Sequence, residues 1–139
     1  MLAKARRAVA EHGVGIIFID YLQLIGVDQK FDTGEREVAA ISKAIKQMAR
    51  ELDIPVVALS QLSRQVESRQ DKRPLLSDLR NSGAIEQDAD VVMMIYREAY
   101  YEPEADDVAE VNVAKQRNGP QGIVKLGFDK SRVRFRSLY

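Results

Sequence analysis

Gly15-Ile16-Ile17-Phe18-Ile19-Asp20 is a short, unbroken apolar run that ends on a carboxylate. A run of this length reads as a β-strand buried on both faces, the pattern of a parallel sheet. Upstream, Leu2 to His12 reads as a helix. Leu2, Ala5 and Val9 fall on one stripe, Lys4, Arg6 and Arg7 lie mostly elsewhere, and Gly13 supplies a C-terminal stop. Downstream, residues 26–34 are polar and loop-like. A second helix is expected from about Glu35 to Leu52, because Val38, Ile41, Ile45, Met48 and Leu52 recur at alternating spacings of three and four. Asp32 followed by Glu35 resembles a capping box at its start. Pro55 then opens a second apolar strand, Val56-Val57-Ala58-Leu59, which ends at Ser60-Gln61. Strand, helix and strand in this order imply a right-handed crossover and a parallel pair.

Beyond Gln61 the periodicity fades. Residues 62–80 hold Arg64, Arg69, Lys72, Arg73 and Arg80, interspersed with Glu67, Asp71 and Asp78, and read as a long functional loop with short helical turns. Asn81-Ser82-Gly83 can start a short helix through Ala84 to Gln87. Val91 to Tyr96 reads as another buried strand, and Tyr100 to Asp107 as an acidic surface turn around Pro103. The remainder looks antiparallel: Val108 to Lys115, a turn at Asn118-Gly119-Pro120, Ile123 to Phe128, then Val133 to Leu138. The expected class is α/β, parallel strands with helices followed by an antiparallel C-terminal hairpin region.

Composition narrows the chemistry. The 139 residues suit one compact domain, and an apolar fraction of 45% is enough for a core, so disorder is not the default. Lys plus Arg (21) balance Asp plus Glu (21), which excludes a strongly basic nucleic-acid binder but leaves room for a local basic stripe. With no cysteine there are no disulfides, thiolate metal sites or cysteine nucleophiles, which suits a reducing cytoplasm. His12 is the sole histidine, so a histidine metal cluster or a Ser-His triad cannot be built. No apolar run approaches the roughly 20 residues of a membrane span. The first residues carry basic charge without a long apolar block, so neither a signal peptide nor a membrane role is expected.

Four places can carry chemistry. Asp20 ends a strand at the edge where open α/β sheets bind ligands. Four apolar residues followed by Asp form a Walker B pattern, in which the aspartate helps hold Mg²⁺. Alone the pattern is weak, since an aspartate after a strand is usually a turn residue. Gln61 ends the next strand, where an amide can bond a γ-phosphate or simply face water. Lys115, Gln116 and Arg117 form the third place. With a side-chain period of two, Lys115 and Arg117 share a strand face and suit phosphate contacts; the plainer alternative is a solvated basic edge. An arginine here can also stabilise phosphoryl transfer in a neighbouring subunit. The fourth is the basic loop with Ser82 and Gly83 after it, where helix-start amides beside an arginine can hold phosphate. A mobile surface loop has the same composition. Tyr100 and Tyr101 precede an acidic turn and are given no base-stacking role.

Together these segments resemble one family. Ile17-Phe18-Ile19-Asp20-Tyr21-Leu22-Gln23-Leu24 and Pro55-Val56-Val57-Ala58-Leu59-Ser60-Gln61-Leu62-Ser63-Arg64 are similar to segments of bacterial replicative helicases of the DnaB type. So are Asp71-Lys72-Arg73-Pro74, Ser77-Asp78-Leu79-Arg80, Ser82-Gly83-Ala84-Ile85-Glu86-Gln87-Asp88-Ala89-Asp90, and Ala114-Lys115-Gln116-Arg117-Asn118-Gly119-Pro120. The resemblance runs over nearly the whole chain, in order. It implies that residues 1–139 are the C-terminal portion of a RecA-like P-loop ATPase core. Asp20 would then organise Mg²⁺ and Gln61 would sense the γ-phosphate. Lys115, Gln116 and Arg117 would reach the ATP of the adjacent subunit, with Arg117 as arginine finger. Arg80, Asn81 and Gly83 would contact single-stranded DNA. The family often has glutamate where this chain has Asn81, so a main-chain contact survives there and a carboxylate role does not. The resemblance further implies a homo-hexameric ring moving 5′ to 3′ and excluding one strand, with primase and a helicase loader as partners.

No Gly-x-x-x-x-Gly-Lys-Ser/Thr occurs, and no glycine is followed directly by lysine. A P-loop needs that lysine on the phosphates and that hydroxyl on Mg²⁺. The Walker A half is therefore expected to be absent, the chain to be a fragment, truncated product or part of a split protein, and the chain alone to be inactive. Two other functions remain open at this point. One is a non-enzymatic module that binds DNA or a helicase ring. The other is part of a different RecA-like repair ATPase.

Overall fold

The computed structural model describes residues 1–26, 31–79 and 83–138. They fall into two compact units, Met1–Ser63 with Leu79–Ala89, and Arg64–Asp78 with Asp90–Tyr139.

In the first unit, helix α1 (Leu2–His12) stops where Gly13 adopts φ 62° and donates its N–H to the Val9 carbonyl. This left-handed conformation carries no Cβ penalty for glycine. Strands β1 (Ile17–Ile19) and β2 (Val56–Ala58) pair in parallel, with Ile17 opposite Val56 and Ile19 opposite Ala58. Helix α2 (Gly34–Leu52) joins them and buries Val38, Ile41, Ile45 and Met48, four of the five expected stripe positions, together with Ser42, while Leu52 is half-buried. It packs against α1, β2 and α3 (Gly83–Asp88). Ser42 Oγ donates to Asp88 Oδ2 at 2.8 Å, tying α2 to α3.

Two expectations for this unit need correction. The cap of α2 is Thr33, whose Oγ1 accepts from the Arg36 N–H at 3.3 Å. Asp32 lies one residue too far out and instead pairs with Arg36 at 3.0 Å, so the Asp32–Glu35 box does not form. Nor is β1 buried on both faces: Phe18 is 70% exposed. Among the described residues, β1 and β2 make a sheet of two strands, and nothing covers the face on which Phe18 lies.

The second unit is an antiparallel meander of β3 (Val91–Arg97), β4 (Val108–Gln116), β5 (Gly122–Asp129) and β6 (Arg134–Arg136). The reading of Val91 to Tyr96 as a fully buried strand also needs correction. Val92 and Met94 are buried, whereas Val91, Met93 and Ile95 are about half exposed. An antiparallel sheet with one covered face alternates in this way. Val92 lies opposite Lys115 but Met93 opposite Val113, so Ala114 is an inserted bulge. Residues 64–78 form 3-10 turns at Arg64–Ser68 and Leu76–Asp78, as expected of a loop with short helical turns.

Candidate functional site

Both strands of the parallel pair end at one edge. Leu59 N–H donates to Ile19 O and Leu22 N–H donates to Leu59 O, each at 2.9 Å, which stitches the two exits together. Asp20 follows β1 directly and is exposed; its peptide bond to Tyr21 is cis. The chain then forms a 3-10 turn, Leu22–Leu24. From that turn the Gln23 side chain crosses to the end of β2. Its Oε1 accepts from the Gln61 N–H at 3.2 Å, and its Nε2 donates to Ser60 Oγ at 3.1 Å. The Gln61 side chain is left exposed beside Asp20's strand end. Gln23 was not singled out from sequence. Its partners lie 37 and 38 residues away, and no local pattern announces them.

Mg²⁺ is typically held by one or two carboxylates, with water and substrate phosphate completing the shell. Asp20, a single exposed carboxylate at the carboxyl end of a parallel strand, would suit such a shared site. Among the described residues no group of three or more His, Cys, Asp or Glu is placed to cage a metal.

In the second unit, Lys115 and Gln116 finish β4 and Arg117 stands one residue beyond it. The strand face expected to carry both Lys115 and Arg117 therefore does not extend to Arg117, which lies in the turn. Arg117 N–H donates to Asp90 O at 2.8 Å, and its Nε lies 3.5 Å from Asp90 Oδ1. The Arg117 side chain remains 46% exposed, so this ion pair is exchangeable. The Gln116 amide lies against Gly119, where any Cβ would collide with it. The glycine of the Asn118-Gly119-Pro120 turn makes room for that side chain.

The basic loop is not a free surface. Arg69 grips Asp78 through two bonds of 3.0 and 2.6 Å and donates a third to Arg73 O at 2.9 Å. Leu75 N–H also donates to Asp78, which is 3% exposed. Burial would raise the Asp78 carboxyl, but the bonds from Arg69 and Leu75 outweigh it and hold it below its ordinary value. Arg73 donates to both oxygens of Glu110, at 2.7 and 3.2 Å. That bond lowers the Glu110 carboxyl and raises the Arg73 guanidinium. Arg73 also lies 4.5 Å over the Tyr96 ring, Tyr96 stacks on Tyr101, and Lys72 lies 4.6 Å over Tyr101. Two of the loop's cations thus already hold carboxylates of their own unit. Glu110 is 37 residues from Arg73, too far for composition to reveal. Lys130 similarly pairs with Asp107 at 3.1 Å.

Arg80 and Asn81 lie outside the described residues. Gly83 is exposed and is the first residue of α3. Asp20 and Gln61 are brought to one edge in the first unit; Lys115, Gln116 and Arg117 share one strand end in the second.

A family model described as the DnaB-like helicase C terminal domain matches residues 1–137. The chain is 54% identical to the replicative DNA helicase DnaC of Bacillus subtilis (strain 168), over 98% of this chain and 31% of that protein. It thus spans about a third of the length of this curated relative. A solved ATPase domain matches with a TM-score of 0.92 at 48% identity, covering 99% of this chain and 50% of the other. A structure titled as a DnaB-like replicative helicase and its interactions with primase matches with a TM-score of 0.93, also at 48% identity, covering 99% and 34%.

Proposed function

Because the chain belongs to the DnaB-like helicase C-terminal domain family, we propose that it serves as the C-terminal half of a RecA-like helicase motor. The observation that carries this reading is the stitched edge, where Asp20 directly follows β1 and Gln61, three residues past β2, is tied to the same edge by Gln23. Ligands of open α/β sheets bind at such carboxyl ends. In this reading ATP is the nucleotide, and Asp20 holds Mg²⁺, which neutralises charge on the phosphates when bound. Gln61 bonds the γ-phosphate and loses that partner on hydrolysis. Lys115, Gln116 and Arg117 face the ATP of the neighbouring subunit in a homo-hexamer. Arg117 exchanges Asp90 for the transferring phosphoryl group, where a guanidinium stabilises developing charge. Arg80, Asn81 and Gly83 contact the backbone of single-stranded DNA, on which the ring moves 5′ to 3′. Primase and a loader act on that ring, and the cytoplasm is its compartment.

The triphosphate cradle then belongs to a Walker A segment, whose Gly-x-x-x-x-Gly-Lys-Ser/Thr pattern does not occur in these 139 residues. The 139-residue chain is therefore expected to show no Mg-ATP turnover, with or without single-stranded DNA. DNA-stimulated turnover that Asp20→Ala abolishes would sink the half-domain reading. In the assembled ring, Arg117→Ala is expected to slow hydrolysis about a thousandfold or more, in keeping with arginine fingers generally. Unchanged turnover would remove Arg117 from the site.

A further inference from the structure

Gln61 reaches the ligand edge from a stretch with no regular secondary structure, three residues past the end of β2. A side chain that must meet a phosphate at one point needs its backbone fixed; the nearest strand pairing is the isolated Leu62–Leu79 bridge one residue on, and no regular element does that at Gln61 itself. The Gln23 carboxamide does. It engages two consecutive residues at this exit, accepting from Gln61 N–H at 3.2 Å and donating to Ser60 Oγ at 3.1 Å. Holding a residue's N–H restricts its φ, and with it the direction of the Cα–Cβ bond. Gln23 itself sits on the turn that follows Asp20, and Leu22 N–H anchors that turn to Leu59 O at 2.9 Å. Hydrogen bonds therefore run without a break from the Asp20 turn to the Gln61 backbone.

We infer that Gln23 is the positioning residue for Gln61, aiming its amide at the phosphate edge and holding it in register with Asp20. This rests on the reading of Gln61 as the γ-phosphate contact. A methionine at this position keeps the length and approximate volume of the side chain but neither of its hydrogen bonds. The Leu59–Ile19 and Leu22–Leu59 backbone bonds do not depend on it.

The test is a double-substitution cycle in the assembled ATPase, read as DNA-stimulated turnover. Gln61→Ala is expected to lower kcat about a hundredfold, the loss typical of a transition-state amide contact. Gln23→Met is expected to lower kcat about fivefold, within the range of one or two neutral hydrogen bonds. The KM for ATP and the affinity for single-stranded DNA should stay unchanged. If Gln23 acts through Gln61, the double variant is no slower than Gln61→Ala alone. Full kcat in Gln23→Met, or losses that multiply in the double variant, overturns the role of Gln23 and leaves that of Gln61 standing. Full kcat in Gln61→Ala overturns the sensor reading and this inference with it. Should Gln23→Met fail to assemble, the unsubstituted protein decides. Its Gln61 amide hydrogen is expected to exchange about tenfold or more slowly than in an unstructured chain; exchange at the unstructured rate would remove the bond the inference stands on.

Discussion

Val133 occupies φ 51° in the turn between β5 and β6, where Asp129 Oδ1 accepts from both Ser131 and Arg132 N–H. A β-branched side chain is poorly tolerated in this left-handed region. Val133→Gly is therefore expected to stabilise the protein by about 1 kcal/mol, seen as a higher urea midpoint; a lower midpoint would show that this backbone is not strained. Asp78 acts in the opposite sense. Its carboxyl and that of Glu110 are held below their ordinary values, so both contribute stability that is present above the pKa of the unfolded carboxyls. That contribution is lost as pH falls through the lower folded values, so the urea midpoint should hold from neutrality to about pH 5 and drop below about pH 4. Asp78→Asn should flatten that acid limb, and an acid limb as steep as before would rule Asp78 out as its source. Asp20 was legible as the residue that ends a strand, because a strand exit has a local signature; Gln61 was expected to end the next strand but lies three residues past β2, since an apolar run does not mark where pairing stops. Gln23, Arg69 and Arg73 were not legible, because their roles are set by partners 37 or 38, 9 and 37 residues away.

At the scale of the element, α2 shows what a pattern can and cannot specify. The three-and-four spacing from Val38 to Met48 identified the buried face. The cap was misplaced because Asp32 and Thr33 both carry suitable oxygens, and only the geometry of the entering chain selects Thr33. Thr33→Ala is expected to cost about 1 kcal/mol of stability, and Asp32→Ala clearly less. Equal losses in chemical denaturation would contradict the assignment. At the other end Asp53 caps the helix at φ 52° and places a negative charge beside its C-terminal carbonyls. Both features favour glycine there. The strand β3 was misread for a different reason. Val91-Val92-Met93-Met94-Ile95 is apolar throughout, so its sequence is the same whether one face is covered or two.

Considered as a whole, the molecule keeps apolar side chains in contact with solvent in each unit. Phe18, Leu59 and Ile16 are exposed in the first, and Val91, Met93, Ile95 and Val124 in the second. Patches of this kind mark surfaces that another element or chain covers. The chain by itself is expected to bind a hydrophobic fluorescent dye strongly, and Ile95→Thr to weaken that binding while the strand is kept. Dye fluorescence at the level of an ordinary folded domain would mean that these faces are closed in solution.

Nucleic acid registers a protein's cations by the small ions they displace from the phosphate chain, so affinity falls with salt in proportion to the charges engaged. Arg69 and Arg73 are already neutralised by Asp78 and Glu110. In the proposed contact with single-stranded DNA they should release few counterions. A salt titration of DNA binding should therefore report fewer cations than the loop's sequence contains.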